Sequence, residues 1–258
     1  MALTNKTIAS TYGDILQADN SGSGRTANGT TIKDGLGQST ALTLGQNKLH
    51  VKPSTDQTDA VVIETSGGTD LLVVDSTNSA IKLGTSQTYA NTQVQRFSVF
   101  ANGAVAGTHY PMFADGVTSL GGTSYSTAMG TGTDPSDSYT VSSAAWTLVS
   151  CYWYIPAAIT IDEVRVIGGG EAADAINFHL KSFTIATGTG SDAGDLSSGT
   201  LLAHNGSTLT VGADRITTTT LTVDSANVAA DKVVLAFFEN TDSTTDLSAQ
   251  LIVKYHYQ

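Results

Sequence analysis

Catalysis or metal binding in this chain would have to be built from five histidines, four glutamates, one cysteine and aspartates gathered in turns. None of His50, His109, His179, His204 and His256 has a second His or a Cys at ligand spacing on one element. His179, in Asn177-Phe178-His179-Leu180, and His256, in Tyr255-His256-Tyr257, fall on strand patterns. There a histidine facing solvent or a subunit interface is the simpler expectation. Three acidic clusters stand out: Asp134-Pro135-Ser136-Asp137, Asp192-Ala193-Gly194-Asp195 and Asp242-Ser243-Thr244-Thr245-Asp246. Such oxygen-rich loops can hold Ca²⁺, but none has the EF-hand register, and Asp and Ser are expected in turns as Asx-turn formers. Glycoside hydrolysis needs two placed carboxylates. Asp162 and Glu163 are adjacent, so on a strand they point to opposite faces, and Glu171 and Glu239 sit at strand ends. No Gly-x-Ser-x-Gly elbow occurs, and Gly168-Gly169-Gly170 lacks the helix and the Lys that complete a phosphate loop. The expectation is a protein that is not an enzyme and holds no metal and no cofactor. Cys151 cannot form an intramolecular disulfide; in Leu148-Val149-Ser150-Cys151-Tyr152-Trp153 it reads as a small buried hydrophobe.

Binding chemistry is better represented. Tyr152, Trp153 and Tyr154 are consecutive, and Tyr255 and Tyr257 share a strand face. Aromatic faces stack on sugar rings, and they also fill cores and subunit interfaces. The run Trp146–Tyr154 reads mainly as core or interface. For a receptor, Gly/Ser/Thr/Tyr loops offer adaptable hydrogen bonding from a rigid scaffold. Ser124 and Tyr125 in Gly121–Tyr125, and Asp192 and Asp195 in Asp192–Ser198, are the candidate contacts to a host surface glycan.

The elements that must position these residues are strands. Thr, Ser and Gly number 39, 26 and 26, while Glu appears only as Glu64, Glu163, Glu171 and Glu239. A chain this poor in Glu and Lys lacks the residues of surface helices. The net charge of −11 argues against nucleic acid and anionic membrane as partners, because phosphate is bound by clustered Lys and Arg. The longest purely apolar run, Val233 to Phe238, is too short to span a bilayer as a helix. The first twenty residues lack the continuous apolar stretch of a secretory signal, so synthesis in a cytosol is expected.

Three regions follow one another: 1–40, 41–86 and 87–258. In the first, Ile8, Tyr12, Ile15 and Leu16 would share one face at helical spacing, ahead of the flexible stretch Asp19-Asn20-Ser21-Gly22-Ser23-Gly24-Arg25. They are too few to bury a core alone and read as a docking peptide. The second region has short alternating strands at Leu42-x-Leu44, Leu49-x-Val51, Val61-x-Ile63, Leu71–Asp75 and Ile81-x-Leu83, with turn signals between them. Strands this short bury little singly, whereas copies packed around a three-fold axis would bury the same side chains. In the third region, candidates Gln95–Phe100, Tyr110–Phe113, Trp146–Tyr154, Ile159–Ile167, Ile176–Ile185, Leu201–Ala203 with Leu209–Val211, Ile216–Val223, Lys232–Glu239 and Ala249–Tyr257 are rich in Val, Ile, Thr and aromatics. They describe an antiparallel sandwich, read as a jelly roll.

The segment Thr69-Asp70-Leu71-Leu72-Val73-Val74-Asp75-Ser76-Thr77-Asn78-Ser79-Ala80-Ile81-Lys82-Leu83-Gly84-Thr85 resembles the hairpin unit of trimeric phage tail-fibre and spike shafts. Here Asn78-Ser79 stands where Asn-Gly is usual in that unit. The opening Asn5–Tyr12, with Asp14-Ile15-Leu16-Gln17 and Asp19-Asn20, is similar to the start of virion structural proteins of tailed phages. The sandwich resembles the trimeric jelly rolls of the tumour-necrosis-factor type at phage fibre tips. These resemblances imply a homotrimeric virion protein with three parts: an N-terminal anchor, a short intertwined β shaft and a jelly-roll head. The expected partners are further copies of the chain and the major capsid protein or another virion protein, at the particle surface. The alternative they imply is a tail-fibre subunit that grips host glycan.

Overall fold

The computed structural model describes residues 17–18, 29–34, 36–84, 88–101, 104–114, 127–141, 148–171, 174–212, 215–241 and 246–258. The chain divides into two compact units, Met1–Ala90 and Asn91–Gln258. Both are built from antiparallel strands, as the Thr- and Val-rich composition requires.

The first unit holds two up-and-down meanders. One orders β1 (Gln17–Ala18), β2 (Thr30–Lys33), β3 (Ser39–Leu44) and β4 (Leu49–Val51). The pairing of β2 with β3 joins residues on both sides of position 40 in one sheet. The other orders β5 (Val61–Glu64), β6 (Asp70–Asp75), β7 (Ala80–Leu83) and β8 (Thr88–Tyr89). Among the described residues of this unit, Ile32 and Val73 are the only buried hydrophobic side chains.

The second unit is a jelly roll. Its elements are β9 (Thr92–Ala101), β10 (His109–Pro111), β11 (Phe113–Ala114), β12 (Trp153–Ile155), β13 (Ile159–Gly170), β14 (Asp174–Ile185), β15 (Leu196–His204), β16 (Leu209–Val211), β17 (Thr217–Thr220), β18 (Thr222–Val223), β19 (Asn227–Val228), β20 (Lys232–Asn240) and β21 (Leu247–Tyr257). Sheet I orders β9-β21-β13-β17, and sheet II orders β10-β20-β14-β15. The last strand thus lies beside the first, and the one before it beside the second, so the chain passes repeatedly between two sheets. The change of sheet is abrupt at Met112. Pro111 pairs with Phe237 in sheet II, and Phe113 pairs with Ser98 in sheet I.

Between the sheets lies a continuous core that includes Phe97, Val99, Val164, Val166, Phe178, Leu180, Ala236, Phe238, Leu251 and Val253. A second apolar cluster covers the other face of sheet II, with Phe183, Leu235 and Phe237 beneath Met129, Leu148 and Cys151. This explains why β20 is buried along Val233–Asn240 without alternation. Cys151 is buried, as expected of a small hydrophobe.

The strand predicted over Trp146–Tyr154 does not form as one element. A 3₁₀ turn occupies Val149–Cys151 and a strand begins only at Trp153. Leu148 and Cys151 are buried while Val149 is 66% exposed, a three-residue spacing that suits a 3₁₀ turn and not a strand.

Candidate functional site

The meander β5-β6-β7 has one face made wholly of aliphatic residues. Cross-strand partners share a face. Ile63 pairs with Leu72, and Leu72 with Leu83; Val61 pairs with Val74, and Val74 with Ile81. None of these six is buried, and Ile63, Ile81 and Leu83 are 53%, 49% and 47% exposed. In the other meander Leu42 pairs with Val51 and Leu44 with Leu49, and Leu49 is 65% exposed.

The hairpin that presents the aliphatic face is fixed by Asp75. Its carboxylate accepts hydrogen bonds from the Asn78 backbone N–H at 2.9 Å, the Asn78 side-chain amide at 2.8 Å and the Lys82 ammonium at 2.8 Å. The Asn78 amide foremost, then Lys82, holds this carboxyl at about 2. Asp75 pairs with Ala80, leaving a four-residue loop in which Ser79 has φ 53°. That is the left-handed position where glycine is the usual residue.

Of the side chains singled out from the sequence, Ile8, Tyr12, Ile15, Leu16, Ser124 and Tyr125 lie outside the described residues. Asp192 and Asp195 come together in one turn, where the Asp195 N–H donates to the Asp192 carbonyl at 3.0 Å. Asp195 is occupied there: its Oδ1 accepts the Val141 N–H at 2.7 Å. Asp192 is exposed. Of the aromatics, Trp153 packs against Tyr255 at 4.8 Å and Phe97 at 6.3 Å between ring centroids, at the edge of the core. Tyr154 is 52% exposed and donates its hydroxyl to Asp231.

A surface feature not read from the sequence is an open groove of about 750 Å³ at one end of sheet I. The three glycines Gly168–Gly170 line it, with Phe100, Ile167 and Ile216 as apolar walls and Glu171, Arg215 and Gln250 as polar groups. Phe100 is 51% exposed. The lining residues come from four segments 30 or more positions apart along the chain and meet only through the pairing of β21 with β9 and of β13 with β21 and β17, which kept the groove out of sight in the sequence.

The histidines correct one expectation. His179 does not face solvent or an interface; it is 4% exposed, beneath the segment that carries Asp134. His256 is partly buried, with Nδ1 2.9 Å from Asp162. Asp134 and Asp137 of the first acidic cluster face His179 and Lys181. Among the described residues no three His, Cys, Asp or Glu side chains converge as metal ligands. No helix there is long and apolar enough to cross a membrane.

No protein-family profile matches the chain, and no curated protein matches it. Among solved structures, a chain in the structure of infectious bursal disease virus, Gx strain, is similar at 8% identity and a TM-score of 0.27. The match covers 65% of this chain and 33% of that one, so this chain spans about a third of its length.

Proposed function

We propose that this chain is a structural protein of a tailed-phage virion, a homotrimeric surface fibre or decoration protein. Its N-terminal segment, through Ile8, Tyr12, Ile15 and Leu16, docks on the major capsid protein or another virion protein. The first unit is the shaft, and the jelly roll is the head it projects from the particle surface. The protein does this by assembly, with no enzymatic step.

The observation that carries the reading is the aliphatic face of Val61, Ile63, Leu72, Val74, Ile81 and Leu83. An aliphatic patch presented by three adjacent strands needs an apolar cover, and a second copy supplies the same patch by symmetry. Completing the burial of the half-exposed Ile63, Ile81 and Leu83 is worth about 1 kcal/mol each, or about 3 kcal/mol per copy, with a smaller addition from the already partly covered Val61, Leu72 and Val74. Three copies is the number that the resemblance to phage fibre shafts implies.

The glycan-binding alternative, a tail-fibre subunit that recognises the host, is favoured by the groove. There the half-exposed Phe100 ring stands beside Arg215, Glu171 and Gln250, a combination suited to a sugar ring and its hydroxyls.

Gold-labelled antibody against residues 146–258, imaged on intact virions, tests the reading. Label scattered over the heads supports a capsid decoration, label at the tail tip supports the receptor-binding alternative, and no label on any particle refutes both. Deleting residues 1–25 should abolish incorporation into virions while the head stays folded.

A further inference from the structure

Sheet II carries three histidines on its outward face. His179 stands opposite His204 across the β14–β15 pair, and the rings stack at 6.4 Å. His109, one strand beyond β20, meets His179 edge to face at 4.9 Å. The segment 127–141 crosses above them. It is tied to β10 by Met129 and Gly130, whose N–H and carbonyl bond the His109 carbonyl and N–H. It is tied to β14 by the Lys181 ammonium, which donates to the Pro135 carbonyl and to Asp137. It is tied to β15 by the mutual bonds of Tyr139 and Leu196. Under it His109 is fully buried. Both of its ring nitrogens, and Nδ1 of His179, have no hydrogen-bond partner.

We propose that segment 127–141 is an acid-released strap: protonation of the His109–His179 pair lifts it from sheet II and uncovers the two rings and the part of the Phe183, Leu235 and Phe237 surface that Met129 covers. Buried imidazoles without partners resist charge, while lifting the strap returns both rings to water, where they take protons freely. The groups around them do not compensate. Glu239 lies 3.6 Å from His109, but its carboxylate already accepts from the Asn177 amide at 3.0 Å. Asp134 lies 3.4 Å from His179 and is half in solvent. Lys181 adds a fixed cation from β14, and His204, held by Asp224 at 2.7 Å, adds a third ring from β15. Two rings 4.9 Å apart cannot both charge cheaply. Burial, then the neighbouring His109, sets the His179 imidazole at about 4, and burial also lowers His109.

Hydrogen exchange of the full chain at pH 7.5 and pH 5, corrected for intrinsic exchange, tests this. A ring that titrates at about 4 when covered and about 6.5 when free raises the opening constant about 30-fold at pH 5 from His179 alone. That rise is expected in peptides covering 127–141, with none in β9, β13 or β21. The double variant His109→Phe, His179→Gln should lose it. Equal corrected protection of 127–141 at both pH values overturns the proposal, and so does a wild-type response in the double variant. Should the variant not fold, imidazole NMR of the wild-type chain decides. His109 and His179 should titrate below the ordinary imidazole value of about 6.5; titration of both near 6.5 while the 127–141 amides stay protected overturns the proposal.

Discussion

The two units of this chain use the same strand chemistry to opposite ends. In Asn91–Gln258, long strands such as β13 and β14 alternate or bury completely, and two sheets close over Phe97, Phe178, Phe238 and their neighbours. In Met1–Ala90, strands of two to six residues carry as much aliphatic character, yet Ile63, Ile81 and Leu83 stay half exposed. A meander has one layer, and one layer cannot bury its own face. On the proposed reading, the first unit is half of a structure that other copies complete, while the second buries its own core.

The sharpest way to break that contrast is to charge the aliphatic face. The double variant Ile63→Asp, Leu83→Asp should abolish assembly, removing about 3 kcal/mol per copy, while near-ultraviolet circular dichroism of the head aromatics is unchanged. Loss of the head signal would mean that the two units are not independent in this way. The matching change in the head is Phe238→Ala, at a fully buried position, expected to cost about 3–5 kcal/mol in denaturant unfolding of the jelly roll. The assembled mass should remain.

Acid should separate the units by pH. The lowered histidines mean that the unfolded head binds protons first, so head stability is full above about 6.5 and falls as pH drops toward about 4. Asp75 works in a lower window. Its contribution is present above the ordinary carboxyl value of 3.8 and is lost as pH falls through about 2. Circular dichroism along an acid titration should show the head weakening first, and Asp75→Asn should remove the lower step. The smallest effect is expected at Ser79→Gly, which relieves a left-handed serine at φ 53° and should raise hairpin stability by about 0.5 kcal/mol, read as a thermal shift.

The sequence made the all-β class and the positions of most strands legible, because the period-two spacing of apolar residues in Leu42-x-Leu44, Val61-x-Ile63 and Leu251-x-Val253-x-Tyr255 marks strands, although only the last of these three sets is buried within the chain. It also exposed the Asp75-to-Ile81 hairpin, a local unit whose turn is set by residues within three positions of Asp75 and by Lys82. It missed what depends on distant partners. The turn at Leu148–Cys151 exists because both residues reach down to Phe183 and Phe237 on sheet II. The burial of His179 depends on a segment some 40 residues earlier that crosses above it, and no local pattern marks that covering. The groove beside Phe100 likewise joins ends of three strands that meet only through sheet pairing.

The most direct test of the whole reading is the solution mass of the purified chain, by multi-angle light scattering at neutral pH and across dilution. A persistent species of three times the 26.6 kDa of one chain is expected, because the face of Val61, Ile63, Leu72, Val74, Ile81 and Leu83 needs partner copies to cover it. A particle of 26.6 kDa at every concentration would contradict it, for the aliphatic face would then stand open in water with no copy of the chain upon it.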